Sequence, residues 1–320
     1  MTARVRVGTR PSPLAITQAQ LAVSALRDAG RAVGLEVETE LVEISTTGDV
    51  VVDRPFTEIG TKGIFTSELQ EALADGRVDV AVHSAKDLTG SHPSGLEICV
   101  VLPRADVRDV VVSRTGGGLG ELPASARVGT SSVRRRALLG ESWPGLRPVD
   151  LRGNVGTRVR KVMDGEVDAA VLAAAGLMRL RLADVIVQWL DPRTFCPSPG
   201  QGIIAIEAAS DRVRSDLAWV RGADDDATRA AFEAERALVA AVEGGCTVPL
   251  GAWARLEDGG LACDAFVGSV DGARVVRASR TGPSTDPGSV GRAAAEALLE
   301  AGAGPLLTDL GRPGGSSGPR

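Results

Sequence analysis

Apolar positions along this chain repeat in two rhythms, one of two residues and one near 3.6. Their alternation predicts an α/β protein. Arg4–Gly8 reads as a strand. Ser12 then predicts an N-cap with Pro13 in the first helical position, and the helix runs to a C′ glycine at Gly30. Val37–Ile44 alternates as a strand, Thr66–Ala74 predicts a helix that stops near Gly76, and Val78–His83 reads as a short buried strand. Arg127–Gly129 predicts another strand, leading into hydroxyls that cap a helix. The last third reads as a helix over Ala227–Val242, strands at Pro249–Leu256, Leu261–Val267 and Val275–Arg280, and a helix over Ser289–Ala301.

One stretch of this grammar occurs twice. ADGRVDVAV (74–82) and MDGEVDAAV (163–171) share a helix end, an Asp-Gly turn, Val-Asp and an apolar strand. Two lobes of similar topology would explain the echo, although Asp-Gly turns before strands are common. Breaks in the pattern place a domain crossing near residue 104 and a return crossing at Pro192–Gly202, with a further boundary at Asp224–Asp226. The final stretch, GRPGGSSGPR, is rich in Gly, Ser and Pro and predicts a flexible tail.

Composition narrows the classes. At 320 residues, 43% apolar and 24% charged, the chain has the make-up of a soluble globular protein of two or three domains. Net charge is −5, tyrosine is absent and aromatics are 3%, which argues against a nucleic-acid partner. Residues 127–181 nevertheless hold eleven Arg and Lys against five Asp and Glu, so a local anionic ligand is expected. The start, MTARVRVGTR, has no apolar core of a signal peptide, and no apolar run is long enough for a membrane span. Cys99, Cys196, Cys246 and Cys263 lack disulfide-scaffold spacing, so a reducing cytoplasm is expected. Only His83 and His92 are present, and no metal site is expected.

Candidate chemistry sits at element ends. GTRPSPLA (8–15) puts Arg10 between a strand's end and a helix N-terminus, where an anion would be held, or where an arginine is simply solvated. TKGIF places Lys62 beside Gly63, a surface turn or a close ligand approach. VAVHSAKDL puts Lys86 and Asp87 just past a buried strand, where ligands of open α/β sheets bind. An ionised Asp87 there can hold pyrrole-like N–H donors, stabilise a developing cation or relay protons; its plainer reading is a cap. GTSSVRRRA places Thr130 and Ser131 before Arg134, Arg135 and Arg136 in a helix's first turns. Cations there oppose the macrodipole unless an anion is bound or the face is solvated. LRGNVGTRVRK adds Arg152 and Arg158 around a Gly-Asn turn, and AGLMRL adds Arg179. Finally, EGGCTVPLG (243–251) sets Cys246 on a Gly-flexible loop, as buried filler or as a covalent attachment point.

Taken in order, GTRPSPLA, KGIF, DVAVHSAKD, VGTSSVRRR, LRGNVGTR, AGLMRL, PGQG, AERA and EGGCTVPLG resemble the porphobilinogen deaminase (hydroxymethylbilane synthase) family across nearly the whole chain. The resemblance implies two periplasmic-binding-protein-like (type II) lobes and a small α/β C-terminal domain. Lobe 1 would span 1–104 and 198–220, lobe 2 105–197, and the C-terminal domain 221–310, with the flexible tail at 311–320. It implies a dipyrromethane cofactor attached to Cys246 by a thioether, and a transferase of tetrapyrrole (haem) biosynthesis. That enzyme condenses four porphobilinogen molecules into linear hydroxymethylbilane and releases four ammonias. Asp87 would be catalytic, stabilising the azafulvene cation. Cys246, Lys86, Asp87, Thr130, Ser131, Arg134, Arg135 and Arg158 would hold the cofactor. Arg10, Ser12, Lys62, Phe65, Arg152, Arg179 and Gln201 would hold substrate, and Arg236 in AERA matches a family arginine near the cofactor. A cytoplasmic monomer with no membrane partner is implied.

Three positions depart from the family pattern: Ser67, where many members carry lysine, Leu88-Thr89-Gly90 after the HSAKD run, and the extra thiol Cys196. A second reading is a two-lobed anion-binding module without catalysis. Asp87 and Cys246 discriminate, because such a module needs neither.

Overall fold

The computed structural model describes residues 1–50, 66–88, 93–242 and 248–309. The strands in chain order are β1 Thr2–Thr9, β2 Glu36–Glu43, β3 Val80–Ser84, β4 Leu96–Val101, β5 Asp109–Ser113, β6 Arg127–Gly129, β7 Arg147–Val149, β8 Ala169–Ala173, β9 Ile186–Trp189, β10 Ile204–Ala209, β11 Leu250–Glu257, β12 Gly260–Gly268 and β13 Val275–Gly282. They form a five-stranded sheet ordered β2-β1-β3-β10-β4, a second ordered β7-β6-β8-β5-β9, and a three-stranded sheet β11-β12-β13.

Both large sheets follow one plan. Three parallel strands are joined by a strand antiparallel to the third, contributed from across a crossing, and by an edge strand. That shared order gives two type II lobes. The sequence echo lies at the same place in each. Gly76 (φ 67°) and Gly165 (φ 79°) take the left-handed turn that ends a helix, a conformation glycine adopts without strain. The following aspartates brace the neighbouring strand: Asp79 Oδ2 accepts from the Arg6 amide (2.7 Å) and Asp168 Oδ2 from the Arg127 amide (2.6 Å).

The helices used below are α1 Pro13–Ala32, α2 Thr47–Val50, α3 Ser67–Ala74, α4 Val133–Ser142, α5 Val155–Met163, α6 Ala174–Arg179, α7 Ser210–Arg214, α8 Asp226–Ala241 and α9 Pro287–Glu300. Ser12 caps α1, its Oγ accepting from Ala15 N (3.3 Å). The expected stop at Gly30 is corrected. The helix continues to Ala32, and Gly34 (φ 75°) takes the left-handed position after it. Gly30 serves close packing and not a helix stop, because β2 crosses close by: a Cβ there would lie 2.3 Å from Val37 Cγ2. The other helix ends fall within two residues of expectation, with Asp225 and Asp286 as N-caps of α8 and α9.

Val5, Val7, Leu26, Val100, Ile204 and Ile206 fill the core of the first lobe. Val111, Val128, Leu138, Leu139 and Phe195 fill one side of the second sheet, and Val110, Leu151, Val162 and Leu177 the other. The small sheet packs α8 and α9 on one face through Leu238, Ala252, Cys263, Val267 and Leu298. Its other face meets lobe 2, where Phe266 joins that lobe's core.

Candidate active site

On the first lobe, β3 ends at Ser84 and a single 3-10 turn, Ala85–Asp87, carries Lys86 and Asp87. Buried Gln18 of α1 holds the start of that turn, donating to Ser84 Oγ (2.9 Å) and accepting from it (3.1 Å). The return crossing holds the middle, where Ala85 N donates to Ile203 O (3.0 Å). Gly200 (φ 72°) permits this approach, since a Cβ there would lie 2.8 Å from the Ala85 carbonyl carbon.

Across the lobes, Lys86 lies within charge range of Arg135 and Arg158, and Asp87 within charge range of Arg158. Lys86 is half-buried as a residue, and burial pushes its amine down to about 8. Asp87 and Asp109 work against that, and Arg135 and Arg158 add to it. Arg158 Nε donates to Gly153 O (2.8 Å). Its guanidinium is pushed down to about 10 by burial and by Arg135 and Arg152, with Asp87 opposing. Arg179 Nη2 donates to Gly202 O (2.8 Å), and burial pushes it to about 10. Arg10 and Arg152 are half-buried.

Arg134 and Arg135 are deeper than a ligand-facing pair would need to be. Asp109, the first residue of β5, meets Arg134 Nη2 at 2.7 Å and Arg135 Nη2 at 2.8 Å through opposite oxygens. Gln201 Nε2 donates to the same carboxylate (2.9 Å). Burial pushes the Asp109 carboxyl up, but the two arginines outweigh it and hold it well below the usual range. Arg134 also donates to Cys196 O (2.6 Å) and Arg135 to Val171 O (2.9 Å). Among the described residues, the Nε atoms of both are buried without a hydrogen-bond partner.

The hydroxyls mainly brace loops. Ser131 Oγ donates to Leu151 O (3.1 Å), Thr130 Oγ1 accepts from Ser132 N (3.2 Å), and Ser132 and Asn154 cap α4 and α5. Arg236 lies over the Phe232 ring at 5.5 Å, lowered by burial with Glu207 opposing. Ser67 opens α3. Cys196 is fully buried beside Gly251, its thiol pushed up to about 12 by burial, so it is chemically quiet in the folded chain. Lys62, Phe65, Cys246, Thr89-Gly90 and the tail lie outside the described residues.

Sequence reasoning missed two carboxylates. One is Asp109, which sits in none of the motifs above. The other is Glu235, which stands beside Arg236 in AERA. It is fully buried and accepts from Arg104 Nη1 (2.6 Å), Gly200 N (2.6 Å) and Ala254 N (2.8 Å). One carboxylate thus ties the outward crossing, the return crossing and the C-terminal sheet. The only local signal was an acid on the apolar face of an amphipathic helix, flanked by Ala234 and Leu238.

Around Asp87 the cations therefore outnumber the acids, and burial and mutual repulsion lower Lys86 and Arg158 together. A ligand with several carboxylates would relieve both, so the donor set fits a polycarboxylate pyrrole group. Fold and site define a two-lobed α/β protein with a basic, anion-binding cleft. The family model "Porphobilinogen deaminase, dipyromethane cofactor binding domain" matches residues 5–216, and "Porphobilinogen deaminase, C-terminal domain" matches 230–300. Relatives named porphobilinogen deaminase include that of Roseiflexus castenholzii, 48% identical over 94% of this chain and 97% of its own. That of Syntrophobacter fumaroxidans is 43% identical over 98% and 100%. Among solved structures, a TRAP periplasmic solute binding protein from Desulfovibrio salexigens is similar at 11% identity, covering 68% of this chain and 71% of that one, with a TM-score of 0.42. The chain belongs to the porphobilinogen deaminase family. This is a transferase family of tetrapyrrole biosynthesis, and residues 5–216 form its dipyrromethane-binding part. Among the described residues no helix is long and apolar enough to cross a membrane.

Proposed function

We propose that this chain condenses four porphobilinogen molecules head to tail into hydroxymethylbilane with Asp87 as its catalytic carboxylate. The primer is a dipyrromethane held by Cys246 through a thioether. The observation that carries the assignment of roles is the facing of Lys86 and Asp87 on one lobe with Arg158 on the other. When bound, the dipyrromethane supplies the pyrrole carbon from which the chain grows.

The residues of the chain do the rest. Lys86, Arg152, Arg158 and Arg179 neutralise acetate and propionate groups. Arg10 and Ser12, on the loop between β1 and α1, orient the incoming substrate. Arg134 and Arg135 act from behind, fixed by Asp109, and Gln201 ties that carboxylate to the return crossing. Asp87 accepts pyrrole N–H groups. As the substrate's aminomethyl C–N bond breaks and ammonia leaves with the bonding pair, the carboxylate stabilises the cation left behind. Lys62 and Phe65 complete substrate binding, and Arg236 supports the cofactor loop. Domain limits at 104, 198 and 221 are part of this reading, and the division of the strands into three sheets supports it. A cytoplasmic monomer with no nucleic-acid partner fits the net charge of −5 and the scarcity of aromatics.

Intact mass of the purified protein, with peptide mapping around Cys246, tests the reading. A mass excess of two linked pyrrole units on that cysteine is expected, and Cys246→Ser should lack it. A fully modified and active Cys246→Ser protein would remove the assignment. If Cys246 is unmodified even after incubation with porphobilinogen, the chain is an anion-binding module instead.

A further inference from the structure

We propose that Leu14, in the first turn of α1, is a positioning residue that sets the register of the arginine-bearing elements across the cleft. It does so by resting on Gly176 of the second lobe, which Val155 also flanks. This inference rests on the function proposed above. Helices α1 and α6 pack together across the lobes. A methyl built on Gly176 would lie 3.7 Å from Leu14 Cδ2 and 3.4 Å from Val155 Cγ2. Leu14 and Val155 therefore both border the bare Cα of Gly176. Gly176 lies one helical turn before Arg179 on α6, and Val155 lies one turn before Arg158 on α5. Leu14 itself follows Arg10 and Ser12 on the loop from β1. One apolar contact thus fixes the spacing of three basic elements.

The shared lobe plan makes Gly176 significant. After β3 the chain reads Ser84-Ala85-Lys86-Asp87-Leu88, and after β8 it reads Ala173-Ala174-Ala175-Gly176-Leu177. Ser84 and Ala173 hold equivalent places, each paired with the first residue of the antiparallel strand beside it. Gly176 therefore occupies in the second lobe the place Asp87 occupies in the first. The cleft keeps one carboxylate there, and the side-chain-free counterpart receives the other lobe's leucine. The contact holds no hydrogen bond, so it can slide as the lobes shift to take each new ring, without a directional bond to break.

Two substitutions should act in opposite directions. Gly176→Ala adds a methyl at ordinary contact distance to both neighbours. It is expected to lower KM by ~2- to 4-fold, the factor one buried methyl group is worth, and to slow kcat by a similar factor because the lobes part less readily. Leu14→Ala is expected to raise KM by roughly 5- to 20-fold with kcat nearly unchanged, and Leu14→Met to restore it. Quenched reactions read by intact mass should show late, longer covalent chains accumulating in Gly176→Ala and early ones in Leu14→Ala. Amide hydrogen exchange of the substrate-free proteins at residues 14–17 and 175–178 should be slower in the first variant and faster in the second. If both variants keep wild-type KM, mass distribution and exchange, or if both lose activity only in step with melting temperature, the positioning role is wrong. Should wild-type protein release no ammonia from porphobilinogen, the proposed function fails, while the exchange arm still judges the contact.

Discussion

Lys86 is held where a lysine keeps its proton least well. Its folded value, about 8, lies below the ordinary 10.5. Below about pH 8 both folded and unfolded chains are protonated, and the fold bears the cost of a buried cation. Between about 8 and 10.5 the folded amine is neutral while the unfolded one still binds a proton. The substrate-free fold should therefore gain stability as pH rises through that window. Urea midpoints from pH 7 to 10 are expected to rise more in the wild type than in Lys86→Met; parallel curves would refute the assignment. Substrate affinity should run the other way. A neutral Lys86 no longer attracts carboxylate, so wild-type KM should climb above pH 8, while Lys86→Gln, weaker throughout, should show no such climb. At the neighbouring position, Asp87→Ala is expected to retain fold and cofactor and to lose turnover by about 10²-fold or more, the scale of a removed preorganised charge. Turnover within a few-fold of wild type would take Asp87 out of the mechanism.

At the scale of elements, the crossings are fixed by Glu235. Its side chain and that of Arg104 are largely withdrawn from solvent, with 1% and 11% exposed. Glu235→Ala would leave a buried guanidinium unpaired and two amides, Gly200 and Ala254, without their acceptor. A loss of about 3–5 kcal/mol is expected from urea unfolding, and a loss below about 1 kcal/mol would show that water replaces the carboxylate. What the sequence disclosed here, and what it withheld, divides by range. The cap at Ser12, the left-handed turns at Gly76 and Gly165 and the alternating C-terminal strands are local, so pattern alone revealed them. Gly30 misled because its reason lies in β2, not in its own helix. Asp109 and Glu235 stayed hidden because their partners are distant in sequence: Arg134 is 25 residues from Asp109, and Arg104 is 131 from Glu235. The motif arginines were recognisable as basic residues at element ends. Which of them a buried aspartate already engages was not, since that depends on where β5 enters the second sheet.

At the scale of the whole molecule, the C-terminal sheet grips the helix bearing Arg134 and Arg135. The turn between β12 and β13 seats on the end of α4, backbone against backbone. A Cβ on Gly140 would lie 2.0 Å from Asp271 O, and one on Gly272 (φ 74°) 2.3 Å from Ala137 O. Arg277 reinforces the seat with two 2.6 Å bonds to Glu141 and a third, of 3.1 Å, to Thr194 O in the return crossing. Helix propensity and seating make opposite forecasts for Gly140→Ala. In the helix interior the change should stabilise by about 1 kcal/mol. Against the carbonyl of Asp271 it forces the turn away, a strain of about 1–3 kcal/mol, and loosens the docking of the two domains. The seat should win because the obstructing atom is backbone and cannot rotate aside. Scanning calorimetry should show the first unfolding transition of Gly140→Ala shifted down by several degrees, and Arg277→Ala should shift it in the same direction. An upward shift in Gly140→Ala would mean that the turn yields without cost, and that other contacts, Phe266 and the Arg277 fork among them, hold the C-terminal domain on lobe 2.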